Sequence, residues 1–216
     1  MRGNQKRHSQ YCPIARALDL VGDRWTLLIL RDVLLGDQRF VDLRKHLSGI
    51  SSSVLTDRLR VLAADGLVAT KNLPPPVART VYVATPKTRE ARPIVEAMAK
   101  FGMARLAPPG ASTEIRPEIA ARFAVESWFE PTAVTSVDEV YRLVLDGAAF
   151  TLASSAGAKH ARRDRPPDLV LTAPAHVIIA ARRGDRSLAD ALASGAATIA
   201  GGKRALCNFQ RAFCLP

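Results

Sequence analysis

Two short amphipathic segments, residues 40–47 and about 52–65, are separated only by Ser48-Gly49-Ile50. A three-residue turn containing glycine allows two helices to meet at a steep angle, which is the spacing of a helix-turn-helix. In the second segment Leu55, Leu59 and Leu62 recur at four- and three-residue spacing, so one face must be buried. Gly66 stops that helix, and residues 67–73 read as a strand. Pro74-Pro75-Pro76 forces a loop, and residues 79–85 return as a strand with alternating Val81 and Val83. A β-hairpin placed directly after the second helix of such a motif is a wing.

Upstream, Cys12-Pro13 opens a first helix carrying Ile14, Ala17, Leu18 and Val21 on one side and ending at Gly22. Asp23 is expected to cap a second helix with Trp25, Leu28, Ile29 and Leu35 as apolar positions, stopped by Gly36. After the wing, a single long helix is expected from Thr85-Pro86 to about Leu106, with Ile94, Met98, Phe101 and Leu106 on one face. Residues 107–113, rich in Pro, Gly and Ser, read as a linker. Beyond it come a helix near 117–128, strands at 139–145, 148–153 and 168–173, helices at 174–182, 187–193 and 202–213, and a short strand at 196–200. The fold class is α+β: a winged helix-turn-helix at 8–106, a linker at 107–116 and a mixed α/β domain at 117–216.

Charge divides the 216 residues unevenly. Residues 1–110 hold 18 Lys/Arg against 9 Asp/Glu, whereas 111–216 hold 13 against 11. A basic half joined to a nearly balanced one suits a polyanion partner for the first, although a merely soluble basic surface would look the same. No apolar run is long enough for a membrane span, and the basic start is followed by His8-Ser9-Gln10, not by an apolar signal core, so a cytoplasmic protein is expected. Cys12, Cys207 and Cys214 form no close pair. Read as helical, Cys207 and Cys214 would lie roughly 10 Å apart, too far for a disulfide. His8, His46, His160 and His176 have no metal-ligand spacing. Gly201-Gly202-Lys203-Arg204 lacks the leading Gly and the following Ser/Thr of a phosphate loop, and no serine sits in a nucleophile elbow. Neither an enzyme, a metal nor a cofactor is indicated.

With the leucines inward, Ser52, Ser53, Thr56 and Arg60 point outward, beside Asp57. Short hydroxyls can bond bases or phosphates, and arginine can read guanine with two bonds. On helix evidence alone that face is equally a solvated surface. The wing adds Lys71 and Arg79 on either side of its tip, and the preceding helix adds Arg44 and Lys45, all suited to phosphates.

The run from Cys12 to Thr26, CPIARALDLVGDRWT, resembles the start of HxlR-type regulators. So do Arg39-Phe40 with Leu43, and Gly49-Ile50-Ser51 followed by Leu55, Arg58-Leu59, Leu62 and Gly66-Leu67-Val68. The likeness covers about residues 8–106. It implies a winged-helix homodimer, paired through the terminal helices of this domain, on double-stranded operator DNA with two half-sites. The proline-rich wing tip departs from the pattern. Similar regulators often keep a cysteine at position 12, and some use it to sense electrophiles or oxidants. Cys12 is therefore a candidate thiol sensor, or else a small residue packed at the dimer contact.

Residues 167–172, PDLVLT, then Gly184, Leu188-Ala189-Asp190-Ala191-Leu192, Gly195, Ile199 and Gly201-Gly202 look like the sterol carrier protein-like fold. That fold implies an apolar cavity, for which Phe150, Leu171, Ile178 and Phe209 are the candidate lining. The other reading is a domain that only packs or dimerises. The resulting expectation is a transcriptional repressor on an inverted-repeat operator, modulated by an apolar small molecule or by thiol modification. A rival is an apolar-ligand carrier whose winged helix serves only to dimerise, and the outward polar face of residues 52–60 argues against it.

Overall fold

The computed structural model describes residues 8–76, 79–103, 105–107, 122–128, 130, 137–154 and 165–215. The chain divides into two compact units, residues 1–97 and 98–216.

In the first unit α1 (Pro13–Val21) starts with Pro at its first position and Cys12 as the N-cap residue. Helix α2 (Thr26–Leu35) is not capped by the Asp23 side chain as expected. Asp23 Oδ1 accepts from Trp25 N at 3.0 Å, a bond to the backbone two residues on, so the chain turns first and the helix begins three residues later. Helix α3 (Phe40–His46) and α4 (Ser52–Ala64) flank the expected turn. Gly49 there has φ +85°, a conformation that L side chains avoid. Gly66, at φ +71°, ends α4: its N–H bonds Ala63 O and the Leu67 N–H bonds Leu62 O at 2.8 Å. That double bond satisfies terminal carbonyls and turns the buried Leu67 directly into β1 (Val68–Leu73).

Strand β1 pairs antiparallel with β2 (Arg79–Ala84) to form the wing. A short bridge missing from the sequence reading joins it: Gln38 and Tyr82 exchange backbone bonds of 2.9 and 2.7 Å. The expected single helix after the wing is two, α5 (Pro86–Glu90) and α6 (Arg92–Met103). Pro93 explains the break. Inside a continuous helix its ring would meet the carbonyl of Arg89 and its missing N–H would forfeit a bond, whereas in the first turn of α6 it costs neither. Leu106 lies beyond the end of α6. The core of the unit gathers Ile29, Leu30, Val33, Leu43, Leu55, Leu59, Leu62 and Val81, all under 4% exposed.

The second unit is built on a mixed four-stranded sheet. Strands β3 (Glu139–Leu145) and β4 (Ala148–Ser154) form a hairpin through Asp146-Gly147. Both turn residues have positive φ, the twist-matched two-residue turn for which Asp-Gly is suited. Strand β5 (Leu169–Ala173) runs parallel to β3, and β6 (Thr198–Gly201) antiparallel to β5. Between β5 and β6 lie α8 (Ala175–Arg183) and α9 (Leu188–Ala193); α10 (Lys203–Ala212) follows, and α7 (Arg122–Trp128) precedes the sheet. Alternation along β3 and β5 puts Tyr141, Leu143, Leu145, Leu169 and Leu171 on one face, where they meet the helices. Tyr141, Phe209 and Phe213 meet there with centroids 4.8–6.0 Å apart, Tyr141 edge-on to both phenylalanines. Cys207 lies in α10 as expected. Cys214 instead follows the helix in a turn at φ +50°. Residues 108–116 of the expected linker fall outside the described residues, as do 117–121 of the expected helix.

Candidate nucleic-acid interface

Helix α4 presents the expected division of faces. Leu55, Leu59 and Leu62 are buried, while Ser52, Ser53, Thr56 and Arg60 are exposed. Its first turn is fixed by Ser51, which the sequence reading passed over as a cap: Ser51 Oγ accepts from Val54 N at 3.2 Å. Ser51 and Ser53 hydroxyls sit 3.0 Å apart. Thr56 donates its hydroxyl proton to Ser52 O at 2.8 Å, which leaves the oxygen lone pairs available as acceptors. Arg60 Nη2 lies 3.0 Å from Asp57 Oδ1, with both side chains more than half exposed. Such a surface pair is weak and exchanges readily for a base or phosphate.

Arg44 is brought to the same place from α3, its Nη1 donating to Ser52 Oγ at 3.0 Å. Lys45, beside it, is exposed. On the other side of α4, Arg58 reaches Asp23 Oδ2 at 3.4 Å, tying the helix to the α1–α2 turn. In the wing, Lys71 stands opposite Val81 and Arg79 opposite Leu73. Lys71 Nζ is 3.8 Å from Asp37 Oδ2. Arg79 is exposed and has no acidic partner among the described residues. Four of the expected residues therefore share one exposed face of α4, Arg44 joins them, and Lys71 and Arg79 lie on the hairpin that follows.

Elsewhere in the same unit is a polar cluster that the sequence reading missed. The side chain of Asp32 is fully buried, 2.7 Å from Arg31 Nη2 and 3.3 Å from His46 Nδ1. Gln38 Nε2 donates to Asp32 O at 3.0 Å. His46 ends α3, so this cluster links α2, α3 and the bridge to the wing.

Cys12 is half-buried at the start of α1. The four expected ligand-lining residues lie in the core of the second unit: Phe150 is 8%, Leu171 0%, Ile178 1% and Phe209 0% exposed, each packed among its neighbours. Among the described residues no His, Cys, Asp and Glu side chains cluster as a metal would need. No described helix is long and apolar enough to cross a membrane.

Two helices joined by a tight glycine turn, the second exposing hydroxyls and arginine and running into a two-stranded wing, define the winged helix-turn-helix class. Residues 20–109 match the HxlR-like helix-turn-helix family. The chain is 36% identical over 91 residues to the uncharacterized HTH-type transcriptional regulator sll1512 of Synechocystis sp., covering 42% of this chain and 67% of that protein. It is 33% identical over 94 residues to the uncharacterized HTH-type transcriptional regulator YvaP of Bacillus subtilis, covering 43% and 87%. Among solved structures it is similar to the redox regulator HypR in its reduced form, at 29% identity over 44% of this chain and 93% of that one, with a TM-score of 0.41. The chain belongs to the HxlR-like helix-turn-helix family of transcriptional regulators.

Proposed function

We propose that the chain is a transcriptional repressor that binds an inverted-repeat operator as a homodimer, laying the N-terminal half of α4 in the major groove. The observation that carries this is the face of Ser52, Ser53, Thr56 and Arg60, with Arg44 bonded to its first turn and the core leucines behind it. Hydroxyls and arginine there address base edges, while Arg44, Lys45, Lys71 and Arg79 serve phosphates. Dimerisation is supported by uncovered apolar side chains: Ile14 and Leu18 on α1 are 71% and 47% exposed, and Ile94, Met98 and Phe101 on α6 are 43%, 53% and 59% exposed. Apolar groups left open on a single chain mark a surface for another chain. The test is footprinting of the promoter regions around its gene. Two protected half-sites about one helical turn apart are expected; no protection at moderate salt would reject the reading.

We read residues 117–216 as a sterol carrier-like effector domain, supported by the mixed four-stranded sheet with helices packed on it. Its control of DNA binding requires a ligand that distinguishes two states of the dimer. Cys12 is the second candidate input. If it is a sensor, a quinone lowers operator affinity of the wild type and leaves Cys12→Ser unchanged, and equal responses return Cys12 to a packing role.

A further inference from the structure

The second unit contains a cavity of about 370 Å³ lined by Lys100, Met103, Trp128, Arg182, Arg183 and Asp185. Its size is that of a small-ligand site. Its charge is unbalanced. Asp185 is taken by Arg183, whose Nε lies 3.0 Å from Asp185 Oδ2, and Arg183 also donates through Nη1 to Leu106 O. Lys100 and Arg182 have no acidic partner among the described residues. The Arg182 Nε is buried without a hydrogen-bond partner, and so is the indole Nε1 of Trp128, a residue only 3% exposed. The Arg182 guanidinium sits 5.9 Å from the centroid of the Trp128 ring. A buried N–H that has given up water and found no acceptor is costly, and Trp128 and Arg182, which both line this cavity, carry one each.

We infer that this cavity binds a small organic carboxylate, its charged end between Lys100 and Arg182 and its apolar body against Trp128 and Met103. A carboxylate offers about four lone-pair sites, enough for the fork of an arginine and an ammonium or indole N–H together. The indole face and the thioether suit an apolar body, which a free phosphate does not have. The site borders the packed apolar core around Phe209, to which Trp128 belongs and against which Met103 packs. This inference deepens the effector reading by naming the ligand class, and its readout is ligand binding to the full chain without DNA, so it stands or falls separately from operator binding.

The test is a fluorine NMR titration of the full-length protein with 4-(trifluoromethyl)benzoate, its neutral amide and, as competitor, inorganic phosphate. Saturable binding of the carboxylate is expected, with the amide weaker by about tenfold or more, as for loss of the ligand's charge. Lys100→Gln and Arg182→Gln should each weaken the carboxylate by a similar factor. Trp128→Phe, which removes the N–H together with the five-membered ring, should weaken it several-fold. Lys203→Gln, at an exposed position of α10, should change nothing. Lys100 is exposed on its helix, so Lys100→Gln leaves folding intact and decides the matter even if Arg182→Gln unfolds. No saturable binding, equal binding of acid and amide, full competition by phosphate at equal concentration, or an unchanged Lys100→Gln would each overturn the inference.

Discussion

Arg60 and Arg79 are both exposed arginines of the first unit, yet their settings differ. Arg60 projects from the third turn of α4, within an exposed pair with Asp57, whereas Arg79 begins the returning strand of the wing. On the proposed DNA pose, Arg60→Ala removes a base reader. It should cost roughly 1–3 kcal/mol on the operator and relax discrimination at one position. Arg79→Ala removes a phosphate contact, so all sequences should weaken alike and the salt slope should fall by about one. Titrations of operator variants at several salt concentrations separate the two, and identical behaviour of the variants would dissolve the assignment. The outward set on α4 was legible because three leucines at helical spacing leave no other face for the polar residues. Ser51 was not, because its neighbours Ser52 and Ser53 are equally good caps on paper; only the backbone geometry selects it. Asp32 and His46 were invisible for a different reason. They are 14 positions apart on separate helices, and no spacing rule brings an aspartate to a histidine across a helix crossing.

At the scale of the element, α3 has its own electrostatic fastening. Arg39, which precedes it, grips Asp42 through Nε and Nη2 at 2.5 and 2.6 Å. That hydrogen bonding, with a smaller contribution from the nearby positive charge, holds the Asp42 carboxyl below its ordinary value of 3.8. A carboxyl lowered by folding stabilises the native state at pH values above its unfolded value, and the contribution is lost as pH falls through the folded value. Arg39→Gln should therefore be less stable than the wild type at neutral pH, and the difference should shrink as pH drops below 3.8. Urea unfolding of both proteins between pH 7 and 2.5 checks it; a gap that stays constant would remove the pair as its cause. The strands of the second unit fell close to their expected positions because period-two burial and an Asp-Gly turn are both local signals. The break between α5 and α6 was missed because apolar periodicity runs on through residue 93 while the proline there permits only a first-turn position. The pairing of β3 with β5 is a contact across more than twenty residues, which no local signal encodes.

At the scale of the whole molecule, a basic N-terminal half and a nearly balanced C-terminal half separate the polyanion partner from any partner of the second unit. The uncovered side chains of α1 and α6 set a further condition. A chain that hides apolar surface only by pairing has a midpoint of thermal unfolding that rises with its own concentration. Calorimetry over a hundredfold range of protein concentration should show that rise, and Phe101→Glu should abolish it while leaving a folded monomer. A flat midpoint in the wild type would mean that those side chains need no partner. If the pair forms, the amount of regulator becomes a signal in itself. Below the pairing constant the DNA-competent species grows with the square of expression, so halving synthesis lowers its concentration about fourfold. A gene under such control would switch on with dilution during growth as well as with any molecule that the protein binds.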